Sequence, residues 1–188
     1  MANTINQNVV IWARGQIGKQ VGKGECWDLA DKALRNAGAS SSADLGPMGD
    51  DEDYIWGDAV DDLKDAQAGD VLQFRDFTVA TSIETDITFA DGSGSTDTKE
   101  SEFTRPHHTA VIDTAQGQGA FKILEQNVAP GGKKVQLHTL NTRDNVPVVT
   151  TTRKLMKAGD GTMKMATVKV TTTITVSGTI WAYRPKKP

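Results

Sequence analysis

The hydrophobic period of this chain changes once, at Gly69, and that change constrains the fold more than any other feature. Upstream, apolar residues recur at helical spacing. Ile5, Val9, Trp12, Ala13 and Ile17 lie on one face of a helix predicted over residues 4–20, which opens on Thr4-Ile-Asn-Gln7, the spacing of a capping box. Gly22 and Gly24 break the pattern, and a second helix is predicted from Cys26 to Ala37, with Leu29, Ala33 and Leu34 inward and Gly38 closing it. Residues 39–53 read as a loop of small and acidic residues, and residues 58–67 as a short helix. Downstream, alternating segments follow at 71–74, 78–89, 108–112, 121–126, 135–140, 148–156, 163–176 and 179–183. Two helices followed by a strand-rich remainder imply an α+β fold, with N-terminal helices packed on an antiparallel β-sheet. A single domain over residues 1–188 is expected, as a monomer.

A chain of 188 residues is long enough to bury one sizeable core. Its net charge of -3 excludes a general pull toward nucleic acid or an anionic membrane surface. No apolar run approaches the ~20 residues that span a bilayer. The stretch MANTINQNVVIWARGQIG lacks the basic, apolar and small-residue order of a secretory signal, so the expectation is cytoplasmic synthesis, with release by a non-Sec route or by injection.

Cys26 is the only cysteine, which rules out an internal disulfide. It stands at a predicted helix N-terminus, where unpaired backbone N–H groups and the helix dipole favour a thiolate. A nucleophilic thiol also needs a base, and His108 opens a short apolar strand from which its ring can emerge at a sheet edge. The next strand ends in Glu125-Gln126-Asn127. If the two strands pair antiparallel, Glu125 or Asn127 comes beside His108 and can orient the ring. His107 is the rival base, set on the opposite face by strand alternation, and His138 reads as a surface strand residue.

These residues carry a resemblance. Gln20, five intervening residues and Cys26-Trp27 are similar to the start of papain-like proteases. The wider order resembles the CHAP family of cysteine, histidine-dependent amidohydrolases and peptidases, and the neighbouring NlpC-type peptidases. The matching motifs are Gly69-Asp70-Val71-Leu72-Gln73-Phe74, His108-Thr109-Ala110-Val111-Ile112 and Glu125-Gln126-Asn127. The resemblance implies that Cys26 is the nucleophile, His108 the base and then acid, Glu125 or Asn127 its orienting partner, and Gln20 or the Cys26 N–H the oxyanion donor. It also implies an amide-bond hydrolase acting on peptidoglycan peptides, needing no cofactor.

Two segments, about 77–104 and 142–176, read as β-hairpin insertions absent from a minimal domain of that family, and they are candidate surfaces for a protein partner or inhibitor. Trp27, Tyr54 and Trp56 are candidate groove residues, although aromatics beside a core helix more often pack inward. No metal is expected: the acidic run 49–53 is of a kind usually found solvated, and one cysteine with adjacent histidines lacks zinc spacing. Two other classes fit the same residues. One is a non-catalytic binding or structural module; the other is an acyltransferase or protein deconjugase using the same thiol.

Overall fold

The structure, a computed structural model, describes residues 2–49 and 51–188; Met1 and Asp50, the latter within the acidic run, lie outside the described residues. Helix α1 (Ile5–Arg14) starts on its capping box: Thr4 Oγ1 accepts from the Gln7 N–H at 3.2 Å, and Gln7 Oε1 accepts from the Thr4 N–H at 2.8 Å. It stops at Gly15, short of residue 20. Ile17, assigned to the helix by its period, instead forms a parallel bridge with Val135. Helix α2 (Cys26–Asn36) lies where the period places it, and α3 (Ser42–Leu45) is a single turn.

No helix forms over residues 58–67. Strand β1 (Asp58–Val60) pairs with β7 (Met163–Arg184), and one 3₁₀ turn follows at Leu63–Asp65. The segment has too few apolar residues to bury a helical face, so the edge of the sheet captures its backbone instead.

The chain divides into two compact units. The first comprises Met1–Phe77, Arg105–Thr142 and Gly178–Pro188. It contains β4 (Ala120–Glu125) and β5 (Gln136–Asn141), and receives one segment each of β2 (Val71–Phe89), β3 (Gly94–Gly117) and β7. The strand order is β1, β7, β2, β3, β4, β5. The result is a mostly antiparallel sheet with few helices. Its core joins Val9 and Ala13 of α1, Leu29 and Leu34 of α2, Trp56, Val71, Val111 and Leu124 in one apolar cluster. The valines and leucines among them contribute about 1.5–3 kcal/mol each when fully buried.

The second unit comprises Thr78–Thr104 and Arg143–Ser177. Strand β6 (Val148–Lys157) pairs antiparallel with β7, from Val148 opposite Thr172 to Lys157 opposite Met163. Its core is small: Phe89, Ala158 and Ala166. Lys164 links Asp91 at 3.0 Å and Asp160 at 2.9 Å. Among the described residues, no helix is long and apolar enough to cross a membrane.

Candidate active site

The loop before Cys26 is pressed onto the first turn of α2. Asp28 holds it there: its Oδ2 accepts from the Lys23 N–H at 2.9 Å and the Glu25 N–H at 3.0 Å. Gly22 and Gly24 permit this path, with φ of 56° and 88°. A Cβ on Gly22 would also meet Asp28 Oδ1 at 2.5 Å, and one on Gly24 would meet the Lys133 side chain at 2.7 Å. From the sheet side, buried Gln126 accepts from the Val21 N–H at 3.1 Å and donates to Val21 O at 3.0 Å and Glu25 O at 2.5 Å. The end of β4 is thereby joined to the loop that presents the thiol. Asp28→Ala is expected to lower stability by about 1 kcal/mol, because it frees two backbone donors at a helix start; a shift of the urea midpoint at unchanged slope checks it.

The register of three strands brings the polar residues together. Val111 faces Leu124, so the next position outward sets Ala110 against Glu125, and His108, two residues further, shares that face. On the other side Ile123 faces His138, and Glu125, two residues on from Ile123, again shares the face. Glu125, fully buried, is thus flanked by two imidazoles. His108 Nε2 lies 2.9 Å from Oε2, and His138 Nδ1 lies 2.6 Å from Oε1. Arg105 adds a two-pronged contact, with Nε donating to Oε2 at 2.8 Å and Nη2 to Oε1 at 2.6 Å.

With Nε2 committed to Glu125, His108 has Nδ1 left for Cys26, with which it lines one pocket. The ring packs on Phe74 with centroids 6.0 Å apart, which fixes its plane. Burial pushes the Cys26 thiol up, but the hydrogen bond and charge of His108, with backbone hydrogen bonds from Thr109 and Trp27, outweigh it and leave the thiol below its ordinary value. For His108 burial acts downward, and hydrogen bonds to Cys26 and Glu125 carry it above its ordinary value. Burial likewise pushes Glu125 up, yet its bonds to His108, His138 and Arg105 hold it well below the usual carboxylate range. All three shifts favour a thiolate–imidazolium pair backed by a carboxylate.

Cys26, Trp27, Tyr54, Gln73, His108 and Thr109 line a pocket of about 420 Å³. Trp27 is held by Nε1 donating to Ser42 Oγ at 2.7 Å, and Tyr54 by its hydroxyl donating to Gly49 O at 2.6 Å. Trp56, the third aromatic candidate, is fully buried and belongs to the core rather than the groove. Its ring fills the space beneath Trp27 and Tyr54, at centroid distances of 6.3 and 5.9 Å. Its Nε1 donates to Gln73 Oε1 at 3.2 Å.

Other sequence candidates make their contacts outside the Cys26–His108–Glu125 set, although His107 lines the same pocket. Gln20 is exposed and its Nε2 donates to Gly22 O at 3.3 Å; with Val21 tied to Gln126, the preceding side chain turns outward. Asn127, beyond the end of β4 with φ 63°, donates to Glu25 Oε2 at 2.7 Å rather than to His108. Glu25, whose charge would oppose a thiolate, is also paired with Lys133 at 2.8 Å. His107 Nε2 meets the Glu52 carbonyl at 2.7 Å and its ring packs on Tyr54.

Three polar residues escaped the sequence reading. His138 is not a plain surface residue, and the alternation shared by Ile123 and Glu125 would reveal it once the β4–β5 register is known. Arg105 carries no signal beyond lying three residues before His108. Gln73 is fully buried, with Oε1 occupied by Trp56 and Thr109, while its Nε2 has no hydrogen-bond partner among the described residues. A buried donor left unmade costs about 1–3 kcal/mol, so it calls for an explanation.

The family model described as the AIM3/BBC1 Cysteine proteinase-fold domain matches residues 1–187. The chain is 28% identical over 136 residues to Altered inheritance of mitochondria protein 3 of Debaryomyces hansenii, an alignment covering 67% of this chain and 13% of that protein. The chain therefore spans about one eighth of the length of that relative. No solved structure matches at a significant level. A papain-like cysteine proteinase fold agrees with these matches, whereas the CHAP and NlpC-type assignment does not follow from them. The peptidoglycan hydrolase expectation is overturned: the family is a different one, and the relative is a yeast protein named for mitochondrial inheritance, not a bacterial cell-wall amidase.

Proposed function

The chain belongs to the AIM3/BBC1 cysteine proteinase-fold domain family, and within it we propose a thiol-dependent acyltransferase or deconjugase that works on a protein substrate. The observation that carries this reading is the connected set Cys26–His108–Glu125, with the thiol drawn below its ordinary value inside a pocket. A fold-only relic has no need of a carboxylate buried against two histidines and an arginine, an arrangement whose desolvation is costly. The Cys26 thiolate attacks an acyl carbonyl, and its sulfur–carbon bond replaces the bond to a leaving amine. His108 protonates that amine. The acyl-enzyme then passes its acyl group to water in deconjugation, or to an acceptor amine in transfer. Trp27 and Tyr54 supply the apolar walls for the acyl-bearing segment. The fold that supports this is papain-like, with the N-terminal helices against the antiparallel sheet and the segments of the second unit inserted in it.

The test is iodoacetamide alkylation of Cys26 followed from pH 4 to 10. The expected profile has its midpoint below the ~8.5 of a free thiol, with the thiolate form gaining as pH rises through that lowered value. A midpoint at or above the ordinary value sinks the enzyme reading.

A second reading, a non-catalytic binding module, rests on the second unit. Val149 and Leu155 share one face of β6, and Met163 and Met165 lie opposite Lys157 and Leu155 on β7, all of them exposed. On that reading the exposed face binds a protein partner; the matching region is 13% of a relative named for mitochondrial inheritance. It requires that Cys26→Ala leave every measurable property unchanged, including adduct formation with activated acyl donors.

A further inference from the structure

The geometry points to Gln73 as the side-chain donor that receives the oxyanion, in the role the sequence suggested for Gln20. This rests on the acyl-transfer reading above. Gln73 stands on β2, fully buried, and lines the same pocket as Cys26. Its amide orientation is decided by its neighbours. The Trp56 indole can only donate, and it donates to Gln73 Oε1 at 3.2 Å; the Thr109 hydroxyl donates to the same oxygen at 2.9 Å. Nε2 is thereby turned away from both, and among the described residues it has no partner. Thr109 connects the two halves of the site, since its hydroxyl holds Gln73 and both residues line the pocket of Cys26. On the wall of the thiol's pocket, an amide N–H that has no partner among the described residues is a donor that a developing alkoxide can use.

When the Cys26 sulfur pair attacks the acyl carbon, the C–S bond forms and the carbonyl π pair moves onto oxygen. The Gln73 Nε2–H and the Cys26 backbone N–H, which belongs to the first turn of α2, donate to that oxygen. Collapse of the adduct returns the pair to the carbonyl, breaks the bond to the leaving group and leaves the thioester. Gln73 therefore acts on carbonyl electrophiles and not on alkylating ones.

Two reactions of Cys26 separate these roles: acylation by p-nitrophenyl acetate, read as the nitrophenolate burst, and alkylation by iodoacetamide. Gln73→Leu removes the donor, and with it the acceptor for Trp56 and Thr109, in a branched side chain. Gln73→Met removes both in an unbranched one. In each variant the acylation rate is expected to fall on the order of 100-fold, with alkylation within about twofold of wild type, since displacing iodide puts no charge on a carbonyl oxygen. Unchanged acylation in a variant with normal alkylation overturns the donor role. Equal loss of both reactions in both variants assigns Gln73 to holding the site together and likewise overturns it. A wild-type thiol that is alkylated quickly but never acylated overturns the acyl-transfer reading as well, whereas a wild-type thiol slow in both reactions sinks the reactive thiol itself.

Discussion

His108→Gln is expected to slow acylation of Cys26 at pH 7 by on the order of 100-fold or more, the range lost when a general base is removed. The size follows from the balance of effects on the thiol. Burial pushes Cys26 up, and the His108 hydrogen bond and charge are the largest influences drawing it back down. Without the imidazole, burial and two backbone hydrogen bonds remain, so the thiol moves upward. A thiol near the ordinary value of ~8.5 is already only about 3% ionised at pH 7. The alkylation midpoint should therefore shift to higher pH, in the same direction as the loss of acylation. Equal alkylation profiles for wild type and variant would falsify the thiolate–imidazolium pairing, whatever happened to acylation. Glutamine is preferred over alanine because its amide can still reach Glu125, which limits the damage to a fully buried carboxylate.

The set Cys26, His108 and Glu125 is legible in the amino-acid sequence because each member announces itself through local pattern. Cys26 stands where glycines give way to a helical period, His108 starts an apolar strand, and Glu125 ends the next one. Antiparallel succession of neighbouring strands is enough to bring a start and an end together. The partners around them are not legible, because choosing them requires registers and depths that periodicity does not encode. Gln20 and Asn127 have the right chemistry in the right order, yet each side chain is claimed by a nearer loop partner, Gly22 O for one and Glu25 for the other. His138 alternates like any exposed strand residue until the β4–β5 register sets it against the Glu125 face. Trp56 differs from Trp27 only in depth, and depth decides that one belongs to the core and the other to the pocket. The error about function has a separate origin. Four motifs in order point to a cysteine proteinase fold, but the substrate depends on features that such motifs do not contain.

Arg105→Leu is expected to be the most destabilising single change at this site, by about 3–5 kcal/mol, because it strips the permanent cation from a carboxylate that has no access to water. Glu125 is held well below the usual carboxylate range by His108, His138 and Arg105 against the upward push of burial. A group whose folded value is depressed adds stability that is fully present above its unfolded value, near 4.3, and is lost as pH falls through the folded value. The Glu125 contribution to the wild-type urea midpoint should therefore be constant above about pH 4.5 and fade below it. In Arg105→Leu the carboxyl rises toward neutrality, so part of the loss is recovered by protonation and the variant's deficit should narrow as pH is lowered. The double variant Arg105→Leu, Glu125→Gln separates charge from packing. If it regains more than half of the lost stability, the deficit came from an unpaired buried charge. If it is as unstable as the single variant, Arg105 acts through the packing of its stem. In the first case the thiol should also respond: with Glu125 neutral, His108 loses the carboxylate that favours its charged form, and alkylation of Cys26 should shift to higher pH in the double variant even though its stability is restored.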